Sequence, residues 1–106
     1  MNAQKVLQNR AGRSGGNPCH FETVSGLIVN FVVKLTLMQE NRKYEVIRYD
    51  NAHNSPHKDI LNTNGRVKRK VWFELLDNKQ ALDLAIKDLK DNHELYTERF
   101  IRWLKN

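Results

Sequence analysis

The sequence predicts an α+β fold: a small antiparallel β-sheet of about four hairpin-connected strands packed against a long C-terminal helix. Three observations predict it. Leu27, Val29, Phe31, Val33, Leu35 and Leu37 alternate without a break, the period-two signature of a strand with one buried face. Asn64-Gly65 is a dipeptide favoured in tight hairpin turns, where both central residues need positive φ. From Asp77 onward there is neither Pro nor Gly, and Leu82, Ile86, Leu89, His93, Tyr96, Phe100 and Trp103 recur at spacings of three and four, one face of a helix. An apolar sheet face and an apolar helix stripe both need cover, and each covers the other.

Residues 1–20 are polar and end in the glycine-rich Gly12-Arg13-Ser14-Gly15-Gly16-Asn17-Pro18. Such a composition predicts a disordered or loosely attached tail, with one domain over 21–106. On the first strand, Asn30, Lys34 and Thr36 share the second face with Ile28 and Val32, so that face is only partly wet. Glu40-Asn41-Arg42-Lys43 is a polar connection of turn length before a second strand, Tyr44 to Tyr49. So short a link allows only an antiparallel hairpin. A polar loop follows, then a brief strand over Lys58 to Leu61. Arg66 to Leu75 alternates, with Val67 and Val71 out of phase with Arg66, Lys68 and Lys70. Asp77 and Gln80 have the spacing of a capping box at a helix start. Asp91-Asn92-His93 weakens that helix locally and leaves a division into two shorter helices open. Neither repeats nor a linker indicate a second domain.

At 106 residues, 40% hydrophobic and 28% charged, the chain suits one small globular domain. It has no apolar run near the ~20 residues of a membrane helix, and no hydrophobic stretch with a cleavage site at its start. A lone Cys19 excludes an internal disulfide and a multi-cysteine zinc site. These features predict a cytoplasmic protein without a membrane partner. The net charge of +6 is localised: residues 1–20 carry +3 and residues 62–76 carry +3, while the rest balances. Such a patch is the footprint of a polyanion partner, or else a solvated edge strand on which lysines oppose aggregation. Arg66, Lys68, Arg69 and Lys70, with Arg48 and Lys58, are the candidate nucleic-acid contacts. Trp72, Phe73, Tyr44 and Tyr49 could stack on bases beside them, although core packing is the more ordinary use of such residues.

The chemistry-bearing stretch runs from Arg48 to Asp59, with two of the four histidines, His53 and His57, beside Asp50, Asn51 and Asp59. Histidines suit proton transfer or metal ligation. Metal ligation by Asp50, His53, His57 and Asp59 lacks a known ligand spacing, and Pro56 opposes the helix that would align His53 with His57; no metal or other cofactor is expected. Metal-free RNA cleavage needs a base, an acid and a cation near the phosphorane. His53 and His57 fit the first two roles, Asp50 could orient one imidazole, and Asn51 could hold the loop or a phosphate oxygen. Arg48, Lys58 or the Arg66–Lys70 segment could supply the cation. In the purely structural alternative, Asp50 and Asn51 form an Asx turn, Tyr49 packs in the core, and the histidines bond to loop backbone. His93 falls on the predicted helix stripe, where a core histidine is the usual case.

Tyr49-Asp50-Asn51-Ala52-His53 and Pro56-His57-Lys58-Asp59 resemble a motif of the TumE-like toxins of prokaryotic toxin–antitoxin systems, which show Tyr-Asp-Asn after a β-hairpin, then loop histidines, then a C-terminal helix. The order of elements is similar from Phe31 to Arg102, but only the Tyr49–Asp59 motif is specific. The glycine-rich tail and the basic Arg66–Lys70 segment depart from that pattern. The resemblance implies a small toxin, commonly a ribonuclease, restrained by an antitoxin. It touches Tyr49, Asp50, Asn51, His53, His57 and Asp59. Two other readings stand beside it. One is a non-enzymatic nucleic-acid-binding or regulatory module that uses the same basic segment. The other is a structural protein that forms a homodimer through the helix end around Trp103.

Overall fold

A computed structural model describes residues 3–8 by backbone alone, and residues 19–52 and 55–106 in full. Six strands precede one helix: β1 (Ala3–Gln8), β2 (Cys19–Val24), β3 (Leu27–Gln39), β4 (Arg42–Asp50), β5 (His57–Leu61), β6 (Val67–Trp72) and α1 (Asn78–Leu104). The strands lie in one sheet in chain order, each antiparallel to its neighbours. The α+β class and the two layers agree with the sequence. The strand count is six rather than about four, because the chain before Phe21 also contributes. β1 pairs with β2 over Ala3–Gln8, and Cys19 is a core residue. The Cys19-His20-Phe21-Glu22 alternation is too short to stand out beside a glycine-rich segment, yet it points Cys19 and Phe21 to the core side. The loose tail expected over 1–20 therefore does not extend to residues 3–8 or 19–20.

Turn chemistry sets the hairpins. Ser25 and Gly26 (φ 51° and 79°) join β2 to β3, and Glu40 and Asn41 (φ 51° and 63°) join β3 to β4. Both are two-residue loops with positive φ at each central position, the geometry that matches strand twist. Asn64-Gly65 does not form the expected two-residue turn. Gly65 N–H donates to Asn62 O (3.0 Å) and Asn62 N–H to Arg66 O (2.8 Å), closing a three-residue loop in which Gly65 has a φ of 86°. This is a turn followed by a left-handed glycine, the next most common hairpin connection.

Phe31, Val33, Leu35 and Leu37 of β3 are buried, with Val33 opposite Tyr49 and Leu35 opposite Ile47. A bulge beyond Leu35 lets consecutive Val46 and Ile47 both be buried, which strict alternation forbids. The pattern fails at the start of β3, where Leu27 is 70% exposed. The helix packs on β3 and β4 and is continuous over 27 residues, about 40 Å, without a break at Asp91-Asn92-His93. Its capping box forms as expected: Gln80 N–H donates to Asp77 Oδ1 (2.8 Å) and Asp77 N–H to Gln80 Oε1 (3.0 Å). Asn78 Nδ2 donates to Ile28 O (2.9 Å) and ties the helix start to β3.

The buried helix positions are Ala81, Leu82, Ala85, Leu89, Tyr96 and Phe100. Leu82, Leu89, Tyr96 and Phe100 of the predicted stripe are buried, but Ile86 is 43% exposed, and His93 is half-buried with Nδ1 3.1 Å from Lys90 O. Two alanines complete the buried face, because a small side chain lets the helix backbone approach the sheet. No helix among the described residues is long and apolar enough to cross a membrane.

Candidate functional site

Strand alternation gives β5 two different faces. His57 and Asp59 point away from the helix, while Lys58 points under it. Each face holds a network of charges.

On the helix-free face, Asp59 is 1% exposed and bridges three strands. It pairs opposite Arg48 of β4 and Lys70 of β6. Arg48 Nη2 donates to Asp59 Oδ2 (2.9 Å), and Arg48 Nε lies 3.4 Å from Asp50 Oδ2. Lys70 Nζ is 3.4 Å from Asp59 Oδ1, an ion pair whose oxygen still lacks a hydrogen bond. Burial works against the Arg48 charge, but the hydrogen bond and charge of Asp59, with Glu45 and Asp50, outweigh it and hold the guanidinium above its ordinary value. His57, 2% exposed, has Nε2 3.1 Å from Asp50 Oδ1 and 3.7 Å from Asp59 Oδ2. Its Nδ1 is 3.0 Å from Ser55 O. Both ring nitrogens thus face acceptors. The Trp72 ring lies over this site, 4.9 Å from the imidazole.

Ligand atoms of Asp50, His57 and Asp59 lie within 4.8 Å of one another, a donor set that suits a divalent transition metal. Their charge is already balanced, however, because Arg48 and Lys70 neutralise the two carboxylates. A dication there would face the Arg48 guanidinium and the Lys70 ammonium across the same two carboxylates, and that repulsion disfavours a metal.

Under the helix, Asp88 gathers four partners. It accepts hydrogen bonds from Tyr49 OH, Tyr96 OH (2.8 Å), Asn92 Nδ2 (2.7 Å) and Lys58 Nζ (3.2 Å). Lys58 Nζ also donates to Tyr96 OH (2.8 Å) and lies 4.6 Å from that ring's centroid. Burial pushes the Asp88 carboxyl up, yet the bonds from Tyr49, Asn92 and Tyr96, with the Lys58 charge, leave it below its ordinary value. Burial and the Asp88 carboxylate together raise both tyrosines.

Residues 4–106 match a family described as a domain of unknown function, DUF7718. The chain belongs to the DUF7718 family. No curated protein and no solved structure matches it.

In this DUF7718 domain the residues singled out in the sequence separate into distinct places. His53 lies outside the described residues. Asp50 Oδ1 accepts from Ala52 N–H (2.9 Å), so the Asx turn forms, and Tyr49 is a core residue. Asn51 is tied to the β3 backbone: its Oδ1 accepts from Phe31 N–H (3.1 Å) and its Nδ2 donates to Val29 O (2.9 Å). The side-chain amide thereby extends the β3–β4 ladder one step past Asp50. Asn51→Ala is expected to lower stability by about 2 kcal/mol, because a buried backbone donor and acceptor lose their partners; urea denaturation measures this.

The six proposed nucleic-acid cations also divide. Arg48 is held by three carboxylates, and Lys58 is held under the helix. A bulge between Ile60 and Leu61 leaves Lys68 without a register partner on β5, and its Nζ lies 4.1 Å from the Trp103 ring centroid. Arg66, Lys68, Arg69 and Lys70 are all exposed on or beside β6, an edge strand. Trp103, the expected dimer contact, packs against Phe100 and carries the Arg99 guanidinium 5.1 Å from its centroid.

The sequence expectation does not include Asp88, because two of its four partners lie 39 and 30 residues away on β4 and β5. A signal existed: Asp88, Asn92 and Tyr96 sit at i, i+4 and i+8, a polar line along one helix side.

Proposed function

We propose that this domain is a non-enzymatic nucleic-acid-binding module that uses the free edge of its sheet. One observation carries the reading. Arg66, Lys68, Arg69 and Lys70 are all exposed along the β6 edge, and among them only Lys70 is in an ion pair within the described residues. Arg66 and Arg69, which take part in neither that ion pair nor the Lys68–Trp103 contact, can replace the counterions of a phosphate backbone, which is the main source of such affinity. Among the described residues of the histidine loop, His57 and Asn51 favour binding over hydrolysis. His57 is buried with both nitrogens against acceptors, and Asn51 is engaged with the backbone of β3.

Single-stranded RNA titrated by fluorescence anisotropy at several salt concentrations tests this. Affinity should fall as salt rises, and Arg66→Ala/Arg69→Ala should reduce the slope of log K against log salt by about 1.4, near 0.7 per lost phosphate contact. No binding at low salt would return the basic segment to an aggregation-resistant edge. Cleavage of the RNA during the titration, abolished by His53→Ala, would replace the binding module with the toxin-like ribonuclease and its antitoxin.

A further inference from the structure

We infer that Trp72 is a base-stacking platform, so that the nucleic acid taken by the β6 edge is single-stranded. This rests on the nucleic-acid reading above and deepens it.

Four aromatics lie near the basic segment, and the structure separates them. Tyr49 is 2% exposed and stacks on Phe73 at 6.0 Å. Tyr44 packs on Phe100 at 5.5 Å, with the Arg42 guanidinium 5.0 Å from its centroid. Trp72 alone of the four is exposed, at 45%. A singly exposed aromatic is ordinary by itself; its surroundings make this one informative. Trp72 is the last residue of β6 and shares the helix-free face with Lys70, two residues earlier. Lys70 Nζ is 5.2 Å from the indole centroid, so a base on the ring would place its phosphate within reach of a cation. The ring rests against His57, which is fixed by Asp50 and Ser55. The platform is therefore held in place from below.

Arg69, opposite Ile60, and Lys68, over Trp103, lie on the helix side of the same strand, so cations flank the edge from both faces. Beyond them, an open groove of about 250 Å³ is lined by Arg42, Lys43, Arg48 and Asn64, with the Glu45 carboxylate among them. Every base offers a π-face, but only an unpaired base can present it to a side chain. A basic strand edge ending in an aromatic thus favours a single strand over a duplex, and stacking strength over sequence.

The test compares an oligouridine of about ten nucleotides with a duplex of equal length, on the full chain. In a Trp103→Phe background, the oligouridine should quench the remaining Trp72 fluorescence and the duplex should not. Trp72→Leu, which keeps an apolar cover over His57, should lose roughly tenfold in single-strand affinity and leave duplex affinity unchanged. Trp72→Phe should recover part of the loss. Unquenched fluorescence, with Trp72→Leu binding both probes like the parent, would overturn the platform and leave the charge-based reading standing. A parent protein that binds neither probe would overturn both.

Discussion

Asp59→Ala is expected to destabilise the domain by about 3 kcal/mol, the scale of breaking a buried ion pair by removing one partner. The carboxylate is 1% exposed and meets Arg48, Lys70 and His57. Its loss leaves the Arg48 guanidinium, whose Nε already lacks a hydrogen bond, facing only Asp50 and Glu45. Arg48 and Lys70 are each about a third exposed, so water offsets part of the loss and the low end of the range applies. Set against a domain stability of roughly 5–15 kcal/mol, this is a large fraction. Arg48→Met in the same chain should restore part of it, because the orphaned charge is then gone. Urea denaturation of the parent, Asp59→Ala, Arg48→Met and the double variant measures the coupling. A loss below about 1 kcal/mol, the level of a surface pair, would show that Asp59 does not hold the three strands together.

The second large effect belongs to Asp88. Asp88→Ala would leave Tyr49 OH, Tyr96 OH and Lys58 Nζ without their shared acceptor beneath the helix. A loss of about 3 kcal/mol is expected, since each buried polar group left unpaired costs about 1–3 kcal/mol. The parent should also respond to pH at both extremes. The folded Asp88 carboxyl sits below its ordinary 3.8, so its contribution is present above pH 3.8 and disappears as pH falls through the lowered value. Tyr49 and Tyr96 are raised above their ordinary 10.0, so their contribution is intact below pH 10 and declines as pH climbs past it. Thermal unfolding of parent and Asp88→Ala across this range checks the sign. The acid arm should flatten in the variant, and an unchanged acid arm would place that dependence on other carboxylates.

The middle of this fold was legible because its signals are local. The Phe31–Leu37 alternation, the polar Glu40–Lys43 link and the Asp77/Gln80 pair each act within a few residues, and each produced the expected element. The edges were less legible. β2 shows only Cys19 and Phe21 on its inner face, and β1 sits across a glycine-rich stretch. Neither has enough apolar residues to reveal a period. Leu82, Leu89, Tyr96 and Phe100 of the predicted helix stripe are buried, but Ala81 and Ala85 are not legible as core because they contribute close approach rather than bulk. At the loop, the sequence located a cluster of polar groups but not their direction. Whether His57 meets solvent or a carboxylate depends on the β4–β5 register, which brings Asp50 opposite His57. Lys58 read as a surface cation for the same reason, since its partner Asp88 lies 30 residues on.

The opposite charges on the two faces of β5 have a consequence for how the sheet assembles. If β5 slid by one residue against β4, every side chain would change sides. Lys58 would turn toward Arg48 and Lys70, placing three cations together. His57 and Asp59 would be carried beneath the helix, with the anionic Asp88 waiting there. A misaligned hairpin in this half of the sheet is therefore rejected electrostatically on both sides at once, and the short strand His57–Leu61 works as its own proofreader.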